Sequence, residues 1–176
     1  ENDIFKEISI LREEGEDLFK KQELGKALDN FEKIIQLDSS DNVAKKYIYR
    51  IEVFPQVTEK IILAKEQRDN GLLEKSLKTF EEAFSIDPER EGLLNEIALT
   101  EKYILDLNFE NAIKDGYDFL LKNSFAKAEQ KLNLAKSLKP NDKSVELFEA
   151  NFKEKKSAKD LSDSISKGKN SYFNED

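Results

Sequence analysis

An all-α chain built from repeated helix pairs is what this sequence predicts, and three observations carry the prediction. Aligning Gly15, Ala64, Gly116 and Gly168, at spacings of 49, 52 and 52 residues, brings one amphipathic pattern into register. Charged residues make up 38% of the 176, with three prolines and six glycines, a composition of solvated helices rather than strands. No period-2 alternation competes, and the only Asn-Gly dipeptide, Asn70-Gly71, falls where one helix must end. The expected architecture is a helical-repeat array, an α-solenoid with extra or extended helices between its units, in which stacked units share a continuous core.

The first unit, residues 8–41, places Leu11, Gly15 and Leu18 on one helix and Ala27, Phe31, Ile34 and Leu37 on the next, at helical spacing. The second, residues 57–90, fills the same slots with Leu63, Ala64, Gly71, Ser76, Phe80, Ala83, Ile86 and Pro88. The third, residues 109–142, supplies Ala112, Gly116, Phe119, Phe125, Ala128, Leu132, Ala135, Leu138 and Pro140. Gly15 and Gly116 each cost roughly 1 kcal/mol relative to Ala inside a helix, so close approach of the partner helix must offset them. Ala27, Ser76 and Ala128 are the expected small partners where the backbones cross. Residues 158–176 hold only the first helix of a fourth unit, so the chain reads as one helical-repeat domain (1–176) excised from a longer protein. The face at Ile165, Gly168, Tyr172 and Phe173 is then expected to fray or to cover itself with a neighbouring molecule.

The 15 and 18 residues between units are themselves helical. Val43, Tyr47, Ile51 and Phe54 repeat at helical spacing, as do Leu94, Ile97, Ile104 and Leu105, and then Val145, Phe148 and Phe152. Local signals favour separate third helices: Pro55 suits a first turn, Asn108 an N-cap, and Ser157 with Asp160 a capping box. Topology favours fusion to the next unit's first helix, because a third helix with tight turns would invert alternate units. The stripe Leu94, Ala98, Leu105, Phe109, Ala112, Phe119 runs across Asn108 and agrees with fusion. Both readings stay open at this point.

The small residue of the first helix, the small-large-small series of the second (Ala27/Phe31/Ile34, Ser76/Phe80/Ala83, Ala128/Leu132/Ala135) and the Asp-Pro or Lys-Pro ending resemble the tetratricopeptide (TPR) repeats. That family pairs two antiparallel helices in about 34 residues. Here the units stand about 50 apart, the first carries Ser39 in place of proline, and Ile34 stands where the others have alanine. The resemblance implies a non-catalytic protein-interaction scaffold that holds a peptide or helix in a groove lined by the first helix of each unit. By position the candidate groove residues are Arg12, Glu16, Phe19 and Lys20; Ile61, Lys65 and Arg68; and Ile113, Tyr117, Leu120 and Leu121. Among them Arg12, Glu16, Phe19, Lys20, Lys65, Arg68, Tyr117 and Leu121 are the expected partner-binding set, with Tyr117 and Arg68 favoured because Tyr and Arg are enriched at hot spots. One TPR sub-family grips a terminal carboxylate; its slots here hold Arg12, Glu16, Ile62, Glu110 and Lys114, and the two glutamates would repel that ligand.

With no Cys and no His, thiolate nucleophiles, disulfides, imidazole bases and Ser-His-Asp triads are excluded. No Asp-rich calcium loop and no phosphate-cradling glycine loop occurs, so no cofactor or metal is expected. Paired carboxylates such as Glu13/Glu14, Glu16/Asp17 and Glu81/Glu82 diverge around a helix and read as solvated surface. A formal charge of −8 argues against nucleic acid, and the acidity is concentrated: residues 1–41 carry 12 acidic and 6 basic side chains. That region would suit a basic partner, or simply be solubilising surface. No apolar run is long enough to span a bilayer. Lysine outnumbers arginine 25 to 4, a bias that points to an AT-rich bacterial source. The compartment stays open between cytoplasm and bacterial periplasm or envelope. Two classes of function are carried forward: a peptide- or helix-binding scaffold with an unidentified protein partner, and a structural spacer or self-assembling rod within a larger envelope or motor complex.

Overall fold

The computed structural model describes residues 2–173, and side-chain environments for residues 3–168. All-α as expected, the described chain forms seven helices packed sequentially in pairs: α1 (Asn2–Lys20), α2 (Leu24–Leu37), α3 (Asn42–Asp69), α4 (Leu73–Ile86), α5 (Leu93–Leu121), α6 (Phe125–Leu138) and α7 (Lys143–Phe173). Three helices of 14 residues alternate with long ones of 28, 29 and 31. The inserts are therefore the first halves of α3, α5 and α7. Pro55, Asn108 and Ser157 all lie inside helices rather than at boundaries, which corrects the capping signals and follows the topological argument. Side-chain capping occurs instead at Asp41, which accepts from the Ala44 amide at 2.8 Å, and Asp142 accepts from the Ser144 amide at the same distance.

The turns from α1 to α2, α3 to α4 and α5 to α6 repeat one geometry. Gln22, Gly71 and Asn123 each take positive φ, at 60°, 75° and 55°. In each turn the following amide closes a bond to a carbonyl five residues back: Glu23 to Leu18, Leu72 to Gln67 and Ser124 to Phe119, all 2.8–2.9 Å. This is the left-handed helix ending that satisfies orphan carbonyls. Gly71 adopts it without a Cβ penalty, whereas the side chains of Gln22 and Asn123 must be carried through it.

Contacts divide the chain into two compact units, one up to Thr100 and the other from Glu101. In the first unit Ile8, Ala27, Phe31, Ile34, Ala44 and Ile51 form one core, and Val57, Ala64, Phe80, Ala83 and Leu93 form a second. In the second unit Phe109, Ala112, Ala128, Leu132, Ala135, Phe148 and Phe152 lie in one core. Phe31, Phe80 and Phe148 are fully enclosed, each worth about 2–3 kcal/mol of apolar burial. Several expected core positions are not buried: Leu37, Leu63, Leu94 and Leu105 are exposed, and so is Ala98. In the first half of α5 the inward face is Leu93, Ile97 and Thr100, because the fully buried Thr100 donates to the Glu96 carbonyl and takes a place that an apolar count assigns to its neighbours.

The small-residue positions behave in two ways. Ser76 Oγ donates to the Ala64 carbonyl at 2.7 Å, so here the two small residues do meet as expected. Gly15 and Gly116 instead leave room for aromatic rings rather than for Ala27 and Ala128. A Cβ on Gly15 would stand 2.9 Å from the Phe31 ring, and one on Gly116 would fall inside the Phe148 ring envelope and 3.3 Å from Lys131 Cβ.

Two of the long helices, α3 and α5, are also tied to the C-cap of the short helix that follows them. Arg50 on α3 donates from Nε to Asp87, the C-cap of α4, at 2.9 Å. Asp106 on α5 pairs with Lys139, the C-cap of α6, at 2.7 Å, with the polarity reversed. In α7, Ile165, named for the face expected to be uncovered, is 51% exposed, a Cβ on Gly168 would meet no atom within 4 Å, and Leu161 one turn earlier is 63% exposed. Tyr172 and Phe173, also named for that face, lie outside the residues whose side chains are described.

Candidate functional site

Two grooves occur at matching positions, one in each unit. The first, of about 340 Å³, is bounded by the end of α1 (Phe19, Lys20) and the turn after it (Gln22), by α3 (Tyr47, Arg50, Phe54) and by the α4–α5 loop (Glu89, Arg90, Glu91). The second, of about 410 Å³, is bounded by the end of α5 (Tyr117, Leu120, Leu121) and by α7 (Asn151, Glu154, Lys155, Ala158). Offsets of 101 residues relate Phe19 to Leu120, Lys20 to Leu121, Arg50 to Asn151 and Phe54 to Lys155. The same place in the fold has thus been lined twice with different chemistry.

Aromatic stacking builds the floor of the first groove. Phe31 stacks on Tyr47 with rings 4.6 Å apart and nearly parallel, and Phe19 meets Tyr47 edge-on at 5.3 Å and Phe54 at 6.2 Å. Burial pushes the Tyr47 phenol above its usual value, and the charge of Glu16 adds to the effect. Arg50 lies over the Phe19 ring at 4.8 Å and is saturated by carboxylates and a carbonyl: Asp87, Glu89 Oε2 at 3.3 Å, and the Glu89 carbonyl at 2.9 Å. Arg90 sits 3.8 Å over the Phe54 ring and donates to Thr58 Oγ1 at 3.1 Å. Burial lowers the pKa of Arg90 from its usual value, against the nearby charge of Asp87.

The second groove is mostly apolar. Leu121 is 71% exposed at its edge while Leu120 is buried beneath it. Tyr117 packs on Phe148 with ring centroids 4.7 Å apart, and its hydroxyl accepts from Asn151 Nδ2 at 3.1 Å, which fixes the phenol against α7.

Between these two positions in sequence, the matching place on α3 is closed by charge. Glu96 receives Lys65 at 2.7 Å and Arg68 at 2.8 Å, and Arg68 also reaches Thr100 at 3.3 Å and lies over Phe80 at 5.5 Å. Burial opposes ionisation of Glu96, yet the hydrogen bonds from Lys65 and Arg68 outweigh it and hold the carboxyl below its usual value. Tyr47, Glu96 and Phe148 occupy one register position, so a single aromatic-to-carboxylate exchange accompanies the closed middle slot.

The sequence-predicted residues therefore separate. Phe19 and Lys20 meet in the first groove, and Tyr117 and Leu121 in the second. Arg12 is drawn to Asp41 at 2.5 Å, steadying the cap of α3, while Lys65 and Arg68 are held by Glu96. Glu16 is half-buried beside Tyr47 and lines neither groove. Sequence reasoning missed Phe54, Arg50, Arg90, Asn151 and Lys155, which come from the inserts and a loop; the recurrence of Tyr47, Glu96 and Phe148 in register was the available signal.

Comparison with protein-family models, with curated proteins and with solved structures finds no match for this chain. Among the described residues no helix is long and apolar enough to cross a membrane, and no group of three or more carboxylates is placed to hold a metal ion.

Proposed function

We propose that the chain is a non-catalytic scaffold of TPR type, with enlarged repeats, that binds an extended peptide or a helix of a protein partner in its grooves. The observation that carries this reading is the recurrence of one groove at the same register in both units, lined once by aromatic and arginine side chains and once by leucines. The three equivalent turns at Gln22, Gly71 and Asn123 support the repeat reading. Tyrosine and arginine side chains, here Tyr47, Arg50 and Arg90 in the first groove and Tyr117 in the second, are among the types that dominate binding energy at interfaces.

The test is capture of peptides from a randomised library by the purified chain, repeated with Leu121→Glu and with Phe54→Asp. Captured sequences should fall into two groups, each lost in one variant while helical circular dichroism is unchanged. If no peptide is enriched, or if both variants capture the same set as the parent, the scaffold reading fails.

Self-assembly is the second reading, favoured by the uncovered face of α7 at Leu161 and Ile165. Sedimentation of the parent and of Leu161→Lys/Ile165→Lys separates the two. Concentration-dependent oligomers abolished by the double variant would favour the rod, and a monomer that binds peptides would favour the scaffold.

A further inference from the structure

The four arginines of the chain are not alike. Arg12 is paired with Asp41, Arg50 with Asp87 and Glu89, and Arg68 with Glu96. Arg90 has a ring and a hydroxyl for company but, among the described residues, no carboxylate within ion-pair distance. It is half-buried, and burial disfavours its charged form; the nearby charge of Asp87, which is bonded to Arg50, does not fully offset the lost hydration.

Its surroundings point the same way. The groove lining carries three cations, Lys20, Arg50 and Arg90, against two carboxylates, in a chain whose overall charge is −8. One of those carboxylates, Glu89, is already engaged by Arg50 and by Lys46 at 3.1 Å, and Arg50 is itself saturated. Lys20 is exposed on the α1 side of the groove. The face of Phe54 holds the Arg90 plane in place, so little rotamer freedom remains to be lost on binding.

We propose that the groove of the first unit receives an acidic side chain of an extended partner peptide, seated between Arg90 and Lys20, with an apolar neighbour against Phe19 and Phe54. The proposal rests on the scaffold reading and deepens it by naming the chemistry of one partner segment. A strip of carboxylate next to an aromatic or aliphatic residue complements the groove in both charge and surface. The neighbouring unit's groove, where Leu121 and Lys155 replace Lys20 and Phe54, selects by apolar contact instead.

The experiment uses the full chain and a library of random decapeptides acetylated at the N-terminus and amidated at the C-terminus, so that every carboxylate is a side chain. Glu and Asp next to an apolar residue should be enriched by the parent. In Arg90→Ala the enrichment should fall about tenfold, the loss expected for one charge-assisted hydrogen bond, and Lys20→Glu, at an exposed position that leaves the fold alone, should reduce it several-fold. Peptides captured with no acidic preference, or with a preference unchanged in both variants, would overturn this inference and leave the scaffold reading intact. Acidic binding restricted to a parallel library with free C-terminal carboxylates would also overturn it, as would parent chains that associate with one another and are made monomeric by Arg90→Ala. No capture at all would overturn the scaffold reading and this inference with it.

Discussion

Replacing Gly116 by alanine isolates one packing decision. Gly116 lies within α5, where alanine is intrinsically better than glycine by about 1 kcal/mol. Propensity alone therefore forecasts a more stable protein. The added methyl, however, would overlap the Phe148 ring and press on Lys131 Cβ at 3.3 Å. Phe148 is fully buried and braced by Tyr117 at 4.7 Å, so the ring has nowhere to move. Overpacking of that kind costs about 1–3 kcal/mol, leaving a net loss of about 0–2 kcal/mol. For a chain of this size each kcal/mol corresponds to about 2–4 °C, so the melting temperature should not rise and should fall by up to about 8 °C. Thermal melts by circular dichroism, with scanning calorimetry to resolve the two units, measure it. Gly25→Ala is the control: no atom lies within 4 Å of its added Cβ, so its melting temperature should hold or rise. Phe148→Leu combined with Gly116→Ala should be less damaging than the two singles summed, by about 1 kcal/mol, since the leucine frees the space the methyl needs. Were Gly116→Ala to stabilise the protein as Gly25→Ala does, the close-approach argument would be wrong.

Three further outcomes are expected. Arg50→Ala leaves Asp87, with 4% side-chain exposure, without its guanidinium and should lower stability by about 3 kcal/mol in urea titrations; a change under about 1 kcal/mol would show that the clamp is not a stabilising contact. Pro55→Ala restores an amide donor within α3 and should raise stability, by up to about 3 kcal/mol, so a fall in the urea midpoint would mean that the proline ring is needed for packing. Hydrogen bonds from Lys136 and Lys153 pull Glu149 down to about 2 from 4.5, and those from Lys65 and Arg68 hold Glu96 low against the opposing effect of burial. Because the folded Glu149 value lies below the unfolded one, its contribution is complete above about pH 4.5 and is lost as pH falls toward 2; urea midpoints should drop across that window and drop less in Glu149→Gln, and identical profiles for parent and variant would refute the assignment.

The helix pairs were legible because Ala27/Phe31/Ile34 and their counterparts bury one face at the helical period, and the structure encloses nearly all of them. The ends of the inserts were not legible from local chemistry. Pro55, Asn108 and Ser157 each have start-of-helix character, but Val57, Phe109 and Phe152 continue the buried face across or beside them, and burial outweighs a cap worth about 1 kcal/mol. The exposed Leu94 and Leu105 were misassigned because the inward position is held by Thr100, a residue that no apolar count selects. Half of the expected binding set reached a groove through its place on α1 and α5. Arg12, Lys65 and Arg68 did not, because their partners Asp41 and Glu96 lie 28–31 residues downstream and meet them only after the chain has folded back. Arg90 was invisible for the same reason, being a loop residue whose meaning depends on Phe54.

The opposed polarity of the two C-cap contacts bears on how the chain avoids folding incorrectly. Helix pairs of similar length and apolar pattern are prone to exchange: the α6 cap could be offered to α3, or the α4 cap to α5, with little change in apolar fit. Arg50 meets Asp87, and Asp106 meets Lys139. In either exchange arginine would face lysine, or aspartate would face aspartate, and like charges brought together at a half-buried contact are repelled. The contact joins a long helix to the short helix after it, and its sign differs between α3–α4 and α5–α6, so a short helix exchanged between them would meet charge of its own sign while the apolar fit alone would not tell the two apart.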